Sequence, residues 1–287
     1  MKVRIVAKTD IGKERDRNED GFTFCTDLCA LNWDKEPAET EIGSKGALLV
    51  VVDGMGGTNA GDVASSLAIE SLQKTFNSSD LNTLVSSEEH IKGFLQNTVT
   101  KADQYINDYM LSHPETSGMG TTIVICWILD GHAYMAWCGD SRGYVFNPST
   151  GLKALTKDHS YVQELIDKGE LTEEEALTHP DSNLITRGLG AFDTPAIADI
   201  VVHPIQPNDM FLLCSDGLCG YCNNSTIERI VKTYGHNIDE CCDKLIELAL
   251  NAGGFDNICV AMAGVGDLTP TQKPKRKRLF SRLFFGK

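Results

Sequence analysis

Short apolar runs recur along the chain, and their length and periodicity sort them into strands and helices. Residues 48–52, LLVVV, are β-branched at three of five positions and read as a strand covered on both faces. Comparable runs predict strands over 3–8, 20–25, 47–52, 121–129, 132–138, 143–147, 197–203, 209–214 and 258–263. Ala64, Leu67, Ala68 and Leu72 recur at helical spacing in 60–76, as do Ile91, Leu95, Val99, Ala102 and Ile106 in 89–111. Further helices fit 160–168, 172–177, 225–234 and 239–251. The first two helices follow one another with no strand between them, and the strands of 121–147 follow as a meander. That order predicts an α+β fold of antiparallel sheets with helices layered outside, and speaks against a β-α-β doubly wound sheet. Residues 157–195 are polar, short-helical and inserted between strands, so they read as a surface flap; residues 26–45 read as a solvent loop. Nothing before residue 267 has the composition of a linker, and there is no internal repeat.

A length of 287 residues with 41% hydrophobic content suits one large domain or two modest ones. No apolar run is long enough to cross a bilayer, and the start, MKVRIVAKTD, has no apolar stretch of the secretory kind. The expectation is a soluble, cytoplasmic protein. Charge is unevenly spread. The net charge is -14, yet Lys273, Lys275, Arg276, Lys277, Arg278, Arg282 and Lys287 stand in 273–287 with no acid among them. The other 272 residues hold 19 bases against 40 acids, a charge of -21. So acidic a body is a poor fit to nucleic acid and a good one to cations in a cleft. Ten cysteines are scattered, several inside apolar runs, which suits buried thiols in a reducing compartment. The alternative, zinc held by Cys219, Cys222, Cys241 and Cys242, lacks a second C-x-x-C.

Several aspartates stand where apolar runs end. Asp53 closes LLVVVD, Asp140 closes AYMAWCGD, Asp216 closes MFLLCSD, Asp256 opens FDNICVAMA, and Asp20 lies beside Glu19 in RNEDGF. One such aspartate is an ordinary turn residue. Several together would repel strongly at low dielectric unless cations neutralise them. All-oxygen ligands favour Mg2+ or Mn2+ over zinc, and the adjoining Gly54, Gly139 and Gly217 allow close approach of backbone. Arg15 and Arg17 flank this set in GKERDRNED, and a guanidinium there can clamp a phosphate. Two hard metal ions with an Arg clamp suggest phosphoester hydrolysis, in which a bridging hydroxide attacks phosphorus in line.

The motifs TDIGKERDRNEDGF, VVDGMGGTNAGDVAS, SGMGTT, CGDSRGY, LTKDHSYVQELIDKGELT, NLITRGLG, LCSDGL and GGFDNICV occur in this order. With them the chain resembles the metal-dependent Ser/Thr protein phosphatases of type 2C (the PPM family) in their compact bacterial form, from about residue 4 to residue 265. The resemblance implies a four-layer α-β-β-α sandwich of two antiparallel sheets flanked by helices. It further implies a catalytic domain over 1–267, with its flap at 157–195, and a separate basic tail over 268–287.

By the same resemblance Asp53 bridges two Mn2+ or Mg2+ ions, the Gly54 carbonyl helps hold one of them, and Asp216 and Asp256 bind the other. Glu19 and Asp20 act through metal-bound waters, Asn257 supports the shell around Asp256, and Arg15 holds the substrate phosphate. Asp140 with Asp216 forms a weaker third-metal site. Many members carry a His where this chain has Met55, or after DGMGG where it has Thr58. With both imidazoles missing, the acid for the leaving group is expected to be water on a third ion held by Asp140, with His159 as the second candidate. The bland reading of His159 is an anchor for the flap.

The implied substrates are phosphorylated proteins, products of a Ser/Thr kinase, acted on by a monomer. The alternatives are a phosphatase of small phosphorylated metabolites and a catalytically silent binding relative; the intact acidic set speaks against the latter. The tail KPKRKRLFSRLFFGK is expected either to be a solvated end or to touch the inner face of an anionic membrane or an acidic partner.

Overall fold

The computed structural model describes residues 1–34, 36–56, 60–190, 192 and 195–266. Thr58 and the tail of 268–287 lie outside the described residues.

Each face of the apolar strands meets a different partner. In β4 (Ala47–Met55), Leu49 and Val51 enter one apolar layer with Phe24, Val124 and Phe211. Leu48, Val50 and Val52 enter another, with Leu72, Leu95 and Val99. Strand β12 (Ile258–Val265) divides in the same way. Cys259, Ala261 and Ala263 join the first layer, while Ile258, Val260 and Met262 face a third, which contains Ile227, Leu245 and Ile246. Three apolar layers require four layers of secondary structure. Each fully buried Val, Leu or Ile contributes about 1.5–3 kcal/mol, so these central strands dominate the stability.

The first sheet runs β3 (Ala38–Glu41), β1 (Lys2–Asp10), β12, β11 (Met210–Cys214), β8 (Arg142–Asn147) and β9 (Gly151–Ala154). The second runs β10 (Asp199–Pro204), β7 (His132–Cys138), β6 (Ile123–Leu129), β4 and β2 (Asp20–Cys25), with β5 (Gly120–Thr121) against the end of β4. The pairings are antiparallel. Helices α1 (Gly61–Ser78) and α3 (Glu88–Ser112) cover the second sheet, with the short α2 (Leu81–Leu84) between them. Helices α7 (Asn224–Tyr234) and α8 (Ile238–Asn251) cover the first. The four-layer α-β-β-α sandwich is the observed architecture.

The flap carries α4 (Tyr161–Asp167) and α5 (Glu173–Ala176), the latter started by a capping box between Thr172 and Glu175.

Four readings are corrected. The 26–45 loop contains β3, paired to β1, and buries Leu28 completely; AETE has no apolar periodicity to announce a strand. The strand expected over 121–129 breaks at Thr122, which turns its N–H to the Asp53 carbonyl (2.8 Å). The expected 197–203 strand begins at Asp199. Asp216 does not end a strand but opens the one-turn helix α6 (Asp216–Cys219). All ten thiols are free, and Cys29 alone among them is exposed.

Candidate metal centre

The antiparallel register of β2 and β4 sets Asp20 directly opposite Asp53. Strand β4 is pinned at this point: the Asp53 N–H donates to Thr122 Oγ1 (3.2 Å), and its carbonyl also accepts from Thr121 Oγ1 (2.8 Å). Next to it, a Cβ on Gly54 would lie 2.2 Å from the Gly61 carbonyl oxygen and 2.7 Å from that of Glu19, so backbone closeness excludes any side chain there. The turn into α6 brings Asp216 from the other sheet to within hydrogen-bonding reach of Asp53. Ser215 links the two sheets, donating to Asp20 Oδ2 (2.7 Å) and accepting the Cys259 N–H (2.8 Å).

Asp256 stands at the lip. Its Oδ1 accepts the Asn257 N–H (2.8 Å), and its Oδ2 accepts from the half-exposed Arg15 guanidinium (2.6 Å). Asn257, buried, organises the loop that carries Arg15. Its Oδ1 accepts the Glu19 N–H (2.8 Å), and its Nδ2 donates to the carbonyls of Ile11 (2.9 Å) and Arg17 (2.8 Å). The Glu19 carboxylate lies against Gly61 at the start of α1. Arg17 is exposed and contributes to this arrangement through its carbonyl. Asp140 is buried just beyond β7, and its Oδ1 has no hydrogen-bond partner among the described residues.

Burial, followed by the hydrogen bond from Ser215 and the charges of Asp216 and Asp256, leaves the Asp20 pKa pushed up to about 8. Burial and then Asp20 push Asp53 well above the ordinary carboxylate range; burial and then Asp216 do the same to Asp140. Asp216 is pushed up to about 6, by burial first and Asp256 second. Burial and mutual repulsion thus make each of these groups harder to ionise than an ordinary carboxylate, while Arg15 stands at the rim, on Asp256. Among the described residues no group of three or more His, Cys, Asp or Glu side chains is already arranged as around a metal ion. An all-oxygen, charge-frustrated set with an orphaned buried Asp140 oxygen nevertheless fits hard divalent cations.

A cavity of about 660 Å³ runs from Asp140 and Asp216 beneath the flap to Val162 and Glu173. Its wall carries a bidentate pair, with Arg142 Nε 2.8 Å from Asp158 Oδ1 and Nη2 2.7 Å from Oδ2.

His159 is buried at the root of the flap. Its Nδ1 accepts the Gly139 N–H (3.1 Å), and its ring stacks on Trp137 with centroids 6.0 Å apart. Its Nε2 faces Asp199 Oδ2 at 3.3 Å without hydrogen-bond alignment. Burial, and then the Arg187 charge, lower its pKa, so the ring is neutral. Met55 ends β4 opposite Gly120. Thus Asp20, Asp53, Asp216, Asp256, Glu19, Asn257 and Arg15 converge on one rim, with Asp140 beside them, and His159 is bonded to Gly139, the residue before Asp140. Ser215, Thr121 and Thr122 escaped the sequence reading because their roles are cross-strand contacts, which no local pattern encodes. Their one signal was membership of the motifs, Ser215 beside Asp216 in LCSDG and Thr121 and Thr122 in SGMGTT.

Residues 10–165 match the family described as Protein phosphatase 2C. The chain is 36% identical over 256 residues to the serine/threonine phosphatase stp of Listeria innocua, covering 89% of this chain and 93% of that protein. The crystal structure of the serine/threonine phosphatase Stp1 from Staphylococcus aureus is similar at a TM-score of 0.78 and 31% identity, over 91% of this chain and 94% of that one. The catalytic domain of the serine/threonine protein phosphatase PstP, solved in complex with two manganese ions, is similar at a TM-score of 0.73 and 30% identity, over 93% of this chain and 100% of that one. This chain belongs to the protein phosphatase 2C family.

Proposed function

We propose that this protein is a Mn2+- or Mg2+-dependent phosphatase of phosphoserine and phosphothreonine in proteins. The observation that carries the reading is the convergence of the buried, protonation-prone Asp20, Asp53 and Asp216 beside the Arg15–Asp256 pair. Asp53 and the Gly54 carbonyl would hold the two ions together with Asp216 and Asp256, while Glu19 and Asp20 act through waters. Such ions supply Lewis-acid polarisation of the phosphoryl group and a low-pKa water. Asp53 and Asp216 would then ionise, since a cation replaces the protons that burial now retains.

Arg15 is half-exposed and free to exchange Asp256 for a substrate phosphate, a bidentate acceptor matched to its planar fork. Asn257 sets its position by holding the carbonyls on either side of it. The proton for the seryl or threonyl oxygen is assigned to the Asp140 side of the centre, where a weaker third ion would bind. His159 is assigned to anchoring the flap, because one ring nitrogen is bonded and the ring is buried.

The test is hydrolysis of p-nitrophenyl phosphate that needs manganese and is abolished by EDTA and by Asp53→Ala. A preference for phosphopeptides over free phosphorylated metabolites then establishes the protein substrate; the reverse preference removes it. We also propose a cytoplasmic monomer opposing a Ser/Thr kinase, with the 273–287 tail reaching an anionic membrane face. Equal pelleting with anionic liposomes, with and without 273–287, removes the membrane contact and leaves a solvated end or an acidic partner.

A further inference from the structure

Helix α8 ends at Asn251, and the chain reaches Asp256 through two glycines in the left-handed region, Gly253 (φ +136°) and Gly254 (φ +63°). A Cβ on Gly253 would stand 2.1 Å from the Phe255 ring, so the ring lies against bare backbone where no other residue fits. The neighbouring loop locks this turn. The Lys13 N–H donates to the Gly254 carbonyl (2.7 Å), and the Lys13 ammonium donates to the Leu250 carbonyl (2.7 Å). Phe255 thus packs on a fixed turn and yet is 50% exposed.

It is not an isolated surface apolar residue. The Tyr221 ring lies 5.4 Å from it between centroids, tilted by 43°. Ile11, 39% exposed, stands in the Arg15 loop, with its carbonyl held by Asn257. Phe255 directly precedes Asp256, the partner of Arg15. Phe255 adjoins Asp256, Tyr221 packs on Phe255 and Ile11 lies in the loop that carries Arg15, so the patch belongs to the segments that hold the Arg15–Asp256 pair. Consecutive residues of a peptide are about 3.8 Å apart at Cα, so a neighbour of a phosphoresidue docked on Arg15 falls within reach of Phe255.

We propose that Phe255, with Tyr221 and Ile11, is a specificity-determining surface that takes an apolar side chain flanking the phosphoserine or phosphothreonine of the substrate. This rests on the protein-phosphatase reading of the same site.

The experiment uses the full chain with manganese and four phosphothreonine peptides that differ only in the two flanking residues: Leu, Ala, Arg or Glu. The Leu peptide is expected to exceed the Ala peptide in kcat/KM by about 10-fold, the scale on which an apolar pocket discriminates, and mainly through KM. In Phe255→Ala the Leu-to-Ala ratio should fall toward one, and in Phe255→Leu it should recover in part. A ratio that persists in Phe255→Ala overturns the inference, as does a wild-type preference for the Arg peptide. Because the readout is a ratio within one variant, a general loss of activity from disturbing the Asp256 loop does not move it. Hydrolysis of all four peptides at one rate overturns this inference alone; hydrolysis of none, with p-nitrophenyl phosphate still cleaved, overturns the protein-phosphatase reading as well.

Discussion

At the scale of single residues, the centre is a problem of charge. Asp20 and Asp53 face each other across a strand pair of the second sheet, and Asp216 joins them from the end of β11 in the first. Asp53→Ala would remove the carboxylate proposed to be shared by the two ions, so manganese-dependent turnover should drop by more than the roughly 100-fold that losing a residue behind the ligands can cost. Asn257 is proposed to stand behind the ligands in this way. Asn257→Ala leaves the Glu19 N–H and the Ile11 and Arg17 carbonyls without their bonds. It should weaken manganese binding by roughly 10–100-fold, read by titrating activity with the metal. Asp140 and His159 are separated by leaving-group chemistry. Asp140→Ala should slow a phosphopeptide far more than an aryl phosphate, whose good leaving group needs no proton. Equal slowing sinks the assignment. His159→Ala should affect both substrates alike and lower the melting temperature, as expected of an anchor.

Among elements, the flap is fastened at both ends rather than along its length. At its root the Arg142–Asp158 pair and the His159–Gly139 bond hold the chain to the strand ends that carry Asp140. At its far end the buried Asp103 of α3 accepts the N–H groups of Gly190 (2.8 Å) and Ala196 (3.2 Å). Removing that carboxylate leaves two buried donors unpaired. Asp103→Ala should cost about 1–3 kcal/mol in stability and speed limited proteolysis within 157–195. Unchanged cleavage would show that the flap is secured elsewhere. Between these fastenings α4 and α5 roof the 660 Å³ cavity, which opens at Asp140 and Asp216.

For the whole molecule, the acidic balance and the fold act together. Two sheets stack so that the ends of β4 and β7 and the turns beside β11 and β12 deliver carboxylates to one rim, and the stability of that rim depends on pH. Asp20, pushed up to about 8, binds a proton in the fold that the unfolded chain gives up near an ordinary carboxylate pKa. The folded state thus holds more protons, and stability falls as pH rises through about 8. Asp216 contributes in the same sense up to about 6, while His159, held neutral, acts oppositely at pH values below about 6.5. EDTA-treated protein should therefore melt at lower temperature at pH 8.5 than at pH 6.5, and manganese should raise the melting temperature more at the higher pH. A manganese shift of the same size at both values would contradict it.

Much of this was legible in the linear chain. The two-faced apolar strands, the long amphipathic helices and the aspartates ending apolar runs all follow from local pattern, because burial on one or both faces imposes a period on the residues. The order of those elements was enough to require antiparallel sheets under helices, and the eight motifs to identify the family. The structure alone decided what depends on contacts between distant segments. It paired AETE of β3 with β1, opened a helix at Asp216, broke a strand at Thr122 and set Asp20 opposite Asp53. It also buried His159 against Gly139 and Trp137 and set the Phe255 ring against Tyr221, since burial and neighbourhood arise only when the sheets are stacked and no local period records them.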